Sequence, residues 1–411
     1  MAGLFGSIAG ALERKSGTFT LDQLPGFLMG PESKAGVSVT YSTALQVAAV
    51  LACVRVVAQG IAQSPAKLMK TRPAGGADVA REHPLYWLLY RQPFGRQTAF
   101  EFWETIVAHL MLCGNAFVFI NRVGSGRIVE LVLLEPGKVR VTRQSDLTLR
   151  YTVTGDDGAG ERTIPAEGMW HIRGLSWSGW MGMEVVRLAR EAIGLAIALE
   201  QSHAEMHKNG VSPSGVYSIE GSLSVEQHAQ LTTWLKQHAS ASGTPLVLDR
   251  GAKWLQQQMS GVDAQHVETR RLQIEEVCRA LGVMPIMVGL SEKTATYASA
   301  EQMFLAHVVH TLSPLANRLE QSADVSLLSE QEQRDGYYLK FNLAALMRGD
   351  YKSRQEGLQI MRRNGVINAD QWREMEDMNP RDDAGGGQYI VEGNMAVQDG
   401  RDLTPVKTTG A

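Results

Sequence analysis

The chain has 411 residues, of which 44% are hydrophobic and 20% charged, and a formal net charge of −3. That length buries a substantial core and suits two or three domains. The near-neutral balance excludes a protein that grips nucleic acid through a basic excess, leaving no such partner or a weakly held one.

Residues 1–40 mix Gly, Ser and Pro without a sustained period and are expected to form an N-terminal arm. Its apolar patch (Leu4, Phe5, Ile8, Leu12) precedes Arg14 and Lys15, the wrong order for a secretion signal. Capping-box spacing at Thr43 and Gln46, then Val47, Val50, Leu51, Val54, Val57 and Ile61, predicts a helix ended by Pro65. Gly75-Gly76 marks a turn, and His83-Pro84 precedes a short helix over 85–90. Thr98 caps a helix carrying Phe102, Ile106, Leu110 and Cys113, closed by Gly114.

From Asn115 the period shortens. Residues 116–120, 130–134, 138–142, 149–154 and 168–172 alternate as strands between Gly, Asp and Pro turns, predicting a small antiparallel β subdomain. Met183 to Asn209 is the longest helical pattern, apolar on every side from Ala192 to Leu199. A helix apolar all round is buried all round, so neighbouring subunits are expected to cover Ile193, Leu195, Ile197 and Leu199. That apolar run is also far short of the ~18 residues of a membrane span, and a soluble, cytoplasmically made protein is expected.

A strand (215–219), a helix (224–238) and two strands (245–248, 253–259) follow, then a helix from Asp263 closed by Gly282 with Pro285 behind it. Residues 285–296 form a Gly-, Ser- and Thr-rich loop. Residues 298–327 are helical with a kink at Pro314, 337–341 a strand, and 350–364 with 369–378 a helical hairpin around Gly365.

Catalytic constellations are weak. His203 and His207 stand at i, i+4, but Glu205 lies roughly 200° around the helix from His203, not where a zinc protease needs its base. His307 and His310 form a similar pair at i, i+3. No GxSxG elbow and no GxxxxGK[ST] loop occur, so the chain is no P-loop motor. Cys53, Cys113 and Cys278 show neither CxxC nor zinc-site spacing and are expected to be buried, reduced thiols. No enzyme activity, metal or cofactor is expected.

Several linked motifs carry a resemblance: Val50-Leu51-Ala52-Cys53-Val54-Arg55 with Ile61-Ala62-Gln63-Ser64-Pro65; His83-Pro84-Leu85; Leu112-Cys113-Gly114-Asn115-Ala116-Phe117; Ala189-Arg190 with Ile193-Gly194-Leu195-Ala196; Asn209-Gly210-Val211 with Pro213 and Gly215; and Arg279-Ala280-Leu281-Gly282-Val283 with Pro285, Met287 and Gly289. In that order, over about four-fifths of the chain, they resemble the portal proteins of long-tailed double-stranded DNA phages. One departure is that the loop proline follows Met284 and not Val283 directly.

The resemblance implies an α+β portal fold. Residues 41–182 would be the wing, 183–210 and 261–283 the two stem helices, and 211–260 the clip between them. Residues 284–298 would form the tunnel loop, 299–349 a wing return helix and strand, 350–381 a helical crown and 382–411 a disordered tail. It implies a ring, usually a dodecamer, at one capsid vertex of the virion, assembled in the host bacterial cytoplasm, through which DNA is packaged and ejected. Implied partners are other copies of the chain, double-stranded DNA held transiently, the terminase large subunit, the major capsid protein and head-completion or adaptor proteins, with no membrane. Small polar residues Ser291, Thr294, Thr296 and Ser299, with Lys293 as the one cation, suit a loop along which DNA slides. The rival readings are a capsid scaffold or adaptor that never touches DNA, and a metal-dependent hydrolase built on His203 and His207.

Overall fold

The computed structural model describes residues 32–73, 75–124, 126–155, 160–208, 216–218, 224–226, 229–230, 233, 253–255, 262–290, 297–343, 346, 351–376, 378–383 and 385–390. The chain divides into two compact units, residues 1–341 and 342–411.

In the first unit, α1 (Tyr41–Gln46) and α2 (Ala48–Ala62) replace the single expected helix. The capping box is formed by Thr40 and Thr43, not by Thr43 and Gln46: Thr43 N donates to Thr40 Oγ1 at 3.1 Å and Thr40 N to Thr43 Oγ1 at 2.8 Å. Extended backbone at Val47 separates the helices. β1 (Ala66–Thr71) and β2 (Ala77–Val79) follow, then α3 (Pro84–Tyr90), with His83 as N-cap and Pro84 in the first turn. In α4 (Ala99–Cys113) a Thr98–Glu101 capping box starts the helix and left-handed Gly114 ends it.

The β region holds two three-stranded antiparallel sheets. β3 (Asn115–Arg122) is central, between β4 (Ile128–Leu134) and β8 (Met169–Arg173). β5 (Val139–Arg143), β6 (Leu149–Thr154) and β7 (Glu161–Ile164) make the second sheet. Val139 and Tyr151 of that sheet pack on Phe117 and Met169 of the first.

α5 (Val185–Leu188) and α6 (Arg190–Lys208) form one helical stretch broken at Ala189. The short strands β9 (Val216–Ser218) and β10 (Lys253–Leu255) pair antiparallel. α7 (Val262–Leu281) ends at left-handed Gly282, where Val283 N returns to the Cys278 carbonyl at 2.9 Å.

α8 (Tyr297–His307) continues through a π-helical turn, Val308–Leu312, into α9 (Ser313–Leu327). Pro314 offers no N–H to the preceding turn and its ring crowds that turn's carbonyl; the widened π turn is the expected distortion. The short α10 (Glu330–Arg334) leads to β11 (Tyr337–Phe341), which pairs with β1 so that the sheet order is β11-β1-β2. Trp103 lies at the centre of the core, 4.9 Å from Phe341 and 6.0 Å from Trp170 between ring centroids, its indole N–H donating to the Leu89 carbonyl.

In the second unit α11 (Tyr351–Arg363) and α12 (Ala369–Met375) form the expected hairpin, turning at left-handed Gly365. Of the expected disordered tail, 382–411, residues 382–383 and 385–390 are described and hold turns, with Asp370 N donating to the Gly386 carbonyl at 3.1 Å, and residues 391–411 lie outside the described residues.

Candidate functional site

Two neighbouring features carry the site: a helix pair and the junction that aims it. α6 and α7 run in opposite directions. Gln273 Nε2 donates to the Ala192 carbonyl at 2.5 Å, and Arg270 stands 3.8 Å from Glu200 further along. Beneath them Val47, at the break before α2, and Val50 and Val54 of α2 join a core shared with Ile193, Ala196 and Val277. Gly194 admits the end of the N-terminal arm: a Cβ there would meet Ser33 Oγ at 2.3 Å, and Lys34 N donates to Glu191 Oε2 at 2.8 Å.

This arrangement corrects the expectation that neighbours alone cover the apolar run. Ile193 is 1% exposed and is a core residue of its own chain, not an interface residue, because α2 and α7 close over it. Ile197 packs half-buried on the same core, and Leu199 lines a cavity of about 60 Å³ beside Ala196 and Val277. Leu195 does face outward, 42% exposed, as do Leu188 and Leu272. On α8 and the π turn, Phe304, Leu305 and Val309 are exposed too. Exposed apolar side chains of this size on several helices suit a surface that is covered in use.

The junction lies where β3 leaves α4. Gly114 adopts φ 67°, and a Cβ there would fall 1.9 Å from the Met183 carbonyl oxygen; one on Gly182 would fall 1.9 Å from the Gly114 oxygen. Only backbones without side chains approach this closely. Asn115 then makes four hydrogen bonds. Its Nδ2 donates to the Cys113 and Gly182 carbonyls, each at 3.0 Å, and its Oδ1 accepts from Gly182 N at 2.7 Å and His171 Nε2 at 3.0 Å. With Nε2 donating, His171 Nδ1 accepts the Tyr151 hydroxyl at 3.2 Å. Burial, helped by the Arg173 charge, pushes His171 down to about 3, so the ring stays neutral. A fully satisfied buried network fixes one geometry, here the course of the chain from the sheets into α5 and α6. Arg318 on α9 braces the same spot, donating to the Arg173 and Gly174 carbonyls.

Ser291, Lys293, Thr294 and Thr296 of the expected tunnel loop lie outside the described residues. Ser299 is in the first turn of α8, not in a loop. At residues 285–289 the chain makes a 3-10 turn, Pro285–Val288, closed by left-handed Gly289. His203 borders the small cavity, and His207 is in α6 with its side chain outside the described set. Among the described residues no three His, Cys, Asp or Glu side chains gather to hold a metal ion. His307 and His310 do not share a face: His307 is fully buried with neither ring nitrogen hydrogen-bonded, whereas His310 is exposed. Among the described residues no helix is long and apolar enough to cross a membrane.

Gly114 and Asn115 stand within one of the sequence motifs, but nothing local to them shows their roles. The signal was present in the pairing of Gly114 with a second glycine-flanked stretch, Gly179 to Met183, whose proximity no local period reveals.

The profile of the family described as Phage portal protein matches residues 48–377. The chain is 30% identical over 382 residues to the probable portal protein of Streptomyces phage phiC31, covering 89% of this chain and 82% of that one. Among solved structures, it superposes with a TM-score of 0.55 on an HK97 family phage portal protein from Corynebacterium diphtheriae, at 17% identity over 76% of this chain and 99% of that one. A chain in the neck of a native GTA (gene transfer agent) particle computed with C12 symmetry gives 0.52 at 20% identity, covering 81% and 91%.

Proposed function

This chain belongs to the phage portal protein family and has its head–tail connector role, and from that premise we propose that it closes into a ring of twelve copies at one capsid vertex of the virion. The carrying observation is that large apolar side chains on four helices, Leu188 of α5, Leu195 of α6, Leu272 of α7 and Phe304 of α8, are left facing water in the single chain. A head-to-tail contact repeated by rotation covers such a surface and closes on itself. The C12 symmetry of the GTA neck supports the number.

In this reading α6 and α7 are the stem helices, residues 211–260 the clip, 284–298 the tunnel loop and 350–381 the crown. Residues 41–182, with the return through 299–349, are the wing. The junction at Gly114, Asn115 and His171 holds the stem at a fixed angle to the wing sheets. The ring does no bond chemistry. The terminase large subunit supplies ATP hydrolysis from outside, docking on the clip, and head-completion or adaptor proteins replace it once the genome is in. The major capsid protein surrounds the wing. Double-stranded DNA passes through the ring in packaging and ejection, brushed by Lys293 and its small polar neighbours. Neither the scaffold nor the hydrolase alternative gains support from the family or the geometry.

Native mass spectrometry with class-averaged images of the purified protein tests this. A closed ring of about a dozen subunits with a central hole is expected. A monomer or dimer at every concentration and ionic strength would overturn it.

A further inference from the structure

We propose that Cys53 and Cys278 form a reversible disulfide that locks α2 to α7 once the folded protein meets a peroxide or disulfide oxidant. The two residues are 225 positions apart, yet their Sγ atoms lie 3.7 Å from each other, and both side chains are wholly buried. A disulfide needs about 2.05 Å, so each sulfur moves on the order of 1 Å. Burial leaves each thiol the other as its nearest reactive partner. Cys113, the third cysteine, hydrogen-bonds with the Tyr41 side chain instead.

The pair is also asymmetric. Either thiol can donate to the other; with Cys53 donating to the ionised partner, the contact holds Cys278 below the ordinary thiol range, while the same contact and burial push Cys53 up. Cys278 is therefore the attacking sulfur. The cavity lined by Ala49, Ile274 and Val277 comes within one helical turn of both residues but is lined by neither, so a small oxidant reaches the sulfurs through local opening of this packing.

With hydrogen peroxide the steps balance. The Cys278 thiolate attacks one peroxide oxygen, the O–O bond breaks, and a sulfenic acid forms at Cys278 as hydroxide leaves and takes up a proton. Cys53 then attacks the Cys278 sulfur, the S–O bond breaks, and a second water departs with the Cys53 proton. Two thiols and one peroxide become one disulfide and two waters. The consequence follows from position: α7 is half of the helix pair, and α2 is the helix it packs on. A covalent tie across them stiffens the pair against rotation and spares the exposed faces. The proposal rests on the portal reading only for where oxidant is met: the chain would assemble with free thiols in a reducing cytoplasm and lock in the released particle.

The test uses the full-length protein. After hydrogen peroxide or diamide, remaining thiols are alkylated in denaturant and the peptides mapped without reductant; native mass spectrometry of the same sample records the oligomeric state. Expected are a Cys53–Cys278 peptide lighter by two hydrogens, lost on adding dithiothreitol, and a rise in Tm on the order of 5 °C. Cys113→Ser keeps both results; Cys53→Ser and, independently, Cys278→Ala abolish both. Quantitative alkylation of all three thiols in oxidised wild-type protein overturns the proposal, and so do links that include Cys113 as often as the pair. A ring without the linked peptide sinks the disulfide and leaves the portal reading standing. A linked peptide without a ring does the reverse.

Discussion

The junction around Asn115 and the α6–α7 helix pair are adjacent in the chain but held by different physics. At the junction every polar atom of the Asn115 side chain has a partner, and backbones touch at two glycines. Across the helix pair Gln273 donates a part-buried side-chain hydrogen bond, and Arg270 and Glu200 form an ion pair at 3.8 Å whose side chains are 55% and 40% exposed. Its inner face is sealed by α2, while its outer face shows leucines to solvent. The junction is complete within one chain. The helix pair is complete on one side only, as a subunit of a ring should be: its angle is set internally and its outer surface is left for a neighbour.

The largest effect on the stability of the chain itself is expected from Gly114→Ala. The added carbon would sit 1.9 Å from the Met183 carbonyl oxygen, on a residue already in the left-handed region. Strain of that kind plus a forced backbone shift costs about 4 kcal/mol or more. Gly282→Ala at the end of α7 is the matched control. It has φ 68° but open space around its Cβ position, so about 1 kcal/mol is expected from the dihedral alone. Equal losses of Tm in the two variants would break the contrast.

The second effect is on pH. His171 titrates at about 3 in the fold, against about 6.5 in the unfolded chain. Between those values the unfolded state holds a proton that the folded state lacks, so stability is full above about pH 6.5 and falls as pH drops toward 3. The slope is up to ~1.4 kcal/mol per pH unit. His109 and His307, also pushed down by burial, act in the same direction. The difference between the urea midpoints of wild type and His171→Phe across pH 3 to 7 isolates the junction. A pH-independent difference would mean that the neutral ring contributes nothing special there.

The helix pair was legible as helices, because its period and its Gly282 stop are local signals. What covers it was not. Ile193 is sealed by residues from α2 and α7, and no window on the sequence spans that separation. β1 was missed for the same reason: Ala66 to Thr71 alternates only weakly, and its partner Tyr337–Phe341 lies at the far end of the unit. β7, Glu161–Ile164, is an exposed edge with no apolar alternation to read. The junction motif was visible as a string of residues, whereas its function depends on Gly182, 67 positions later. The portal resemblance rested on ordered motifs, so it was readable where single contacts were not.

The third effect separates folding from assembly. Leu195 is 42% exposed on the outer face of α6. Leu195→Asp is expected to change the stability of the isolated chain by less than ~1 kcal/mol, as exposed substitutions do, while lowering the yield of closed rings in native mass spectra at least tenfold. A variant that unfolds with normal ring yield at low temperature would assign Leu195 to the core and not to an interface.

The smallest effect, and the sharpest check on the comparison, is Arg270→Ala. The Arg270–Glu200 ion pair links the two helices, and both partners are largely solvated. An ion pair in that setting is worth ~0–1 kcal/mol, is screened by salt, and is offset by the entropy of holding two long side chains still. The expected loss is therefore below about 0.5 kcal/mol, and the urea midpoint of wild type should barely move between 0.05 and 1 M salt, both on the scale of those same surface pairs. Gln273→Ala, by contrast, removes a donor that is 5% exposed and hydrogen-bonded across the pair, and should cost about 1 kcal/mol at any salt concentration. Finding the reverse order, with Arg270 costly and strongly salt-dependent, would mean that charge holds the helices together. The pair would then resemble an ionic clasp that can open in the single chain, and its outer leucines would no longer be sufficient reason for a ring.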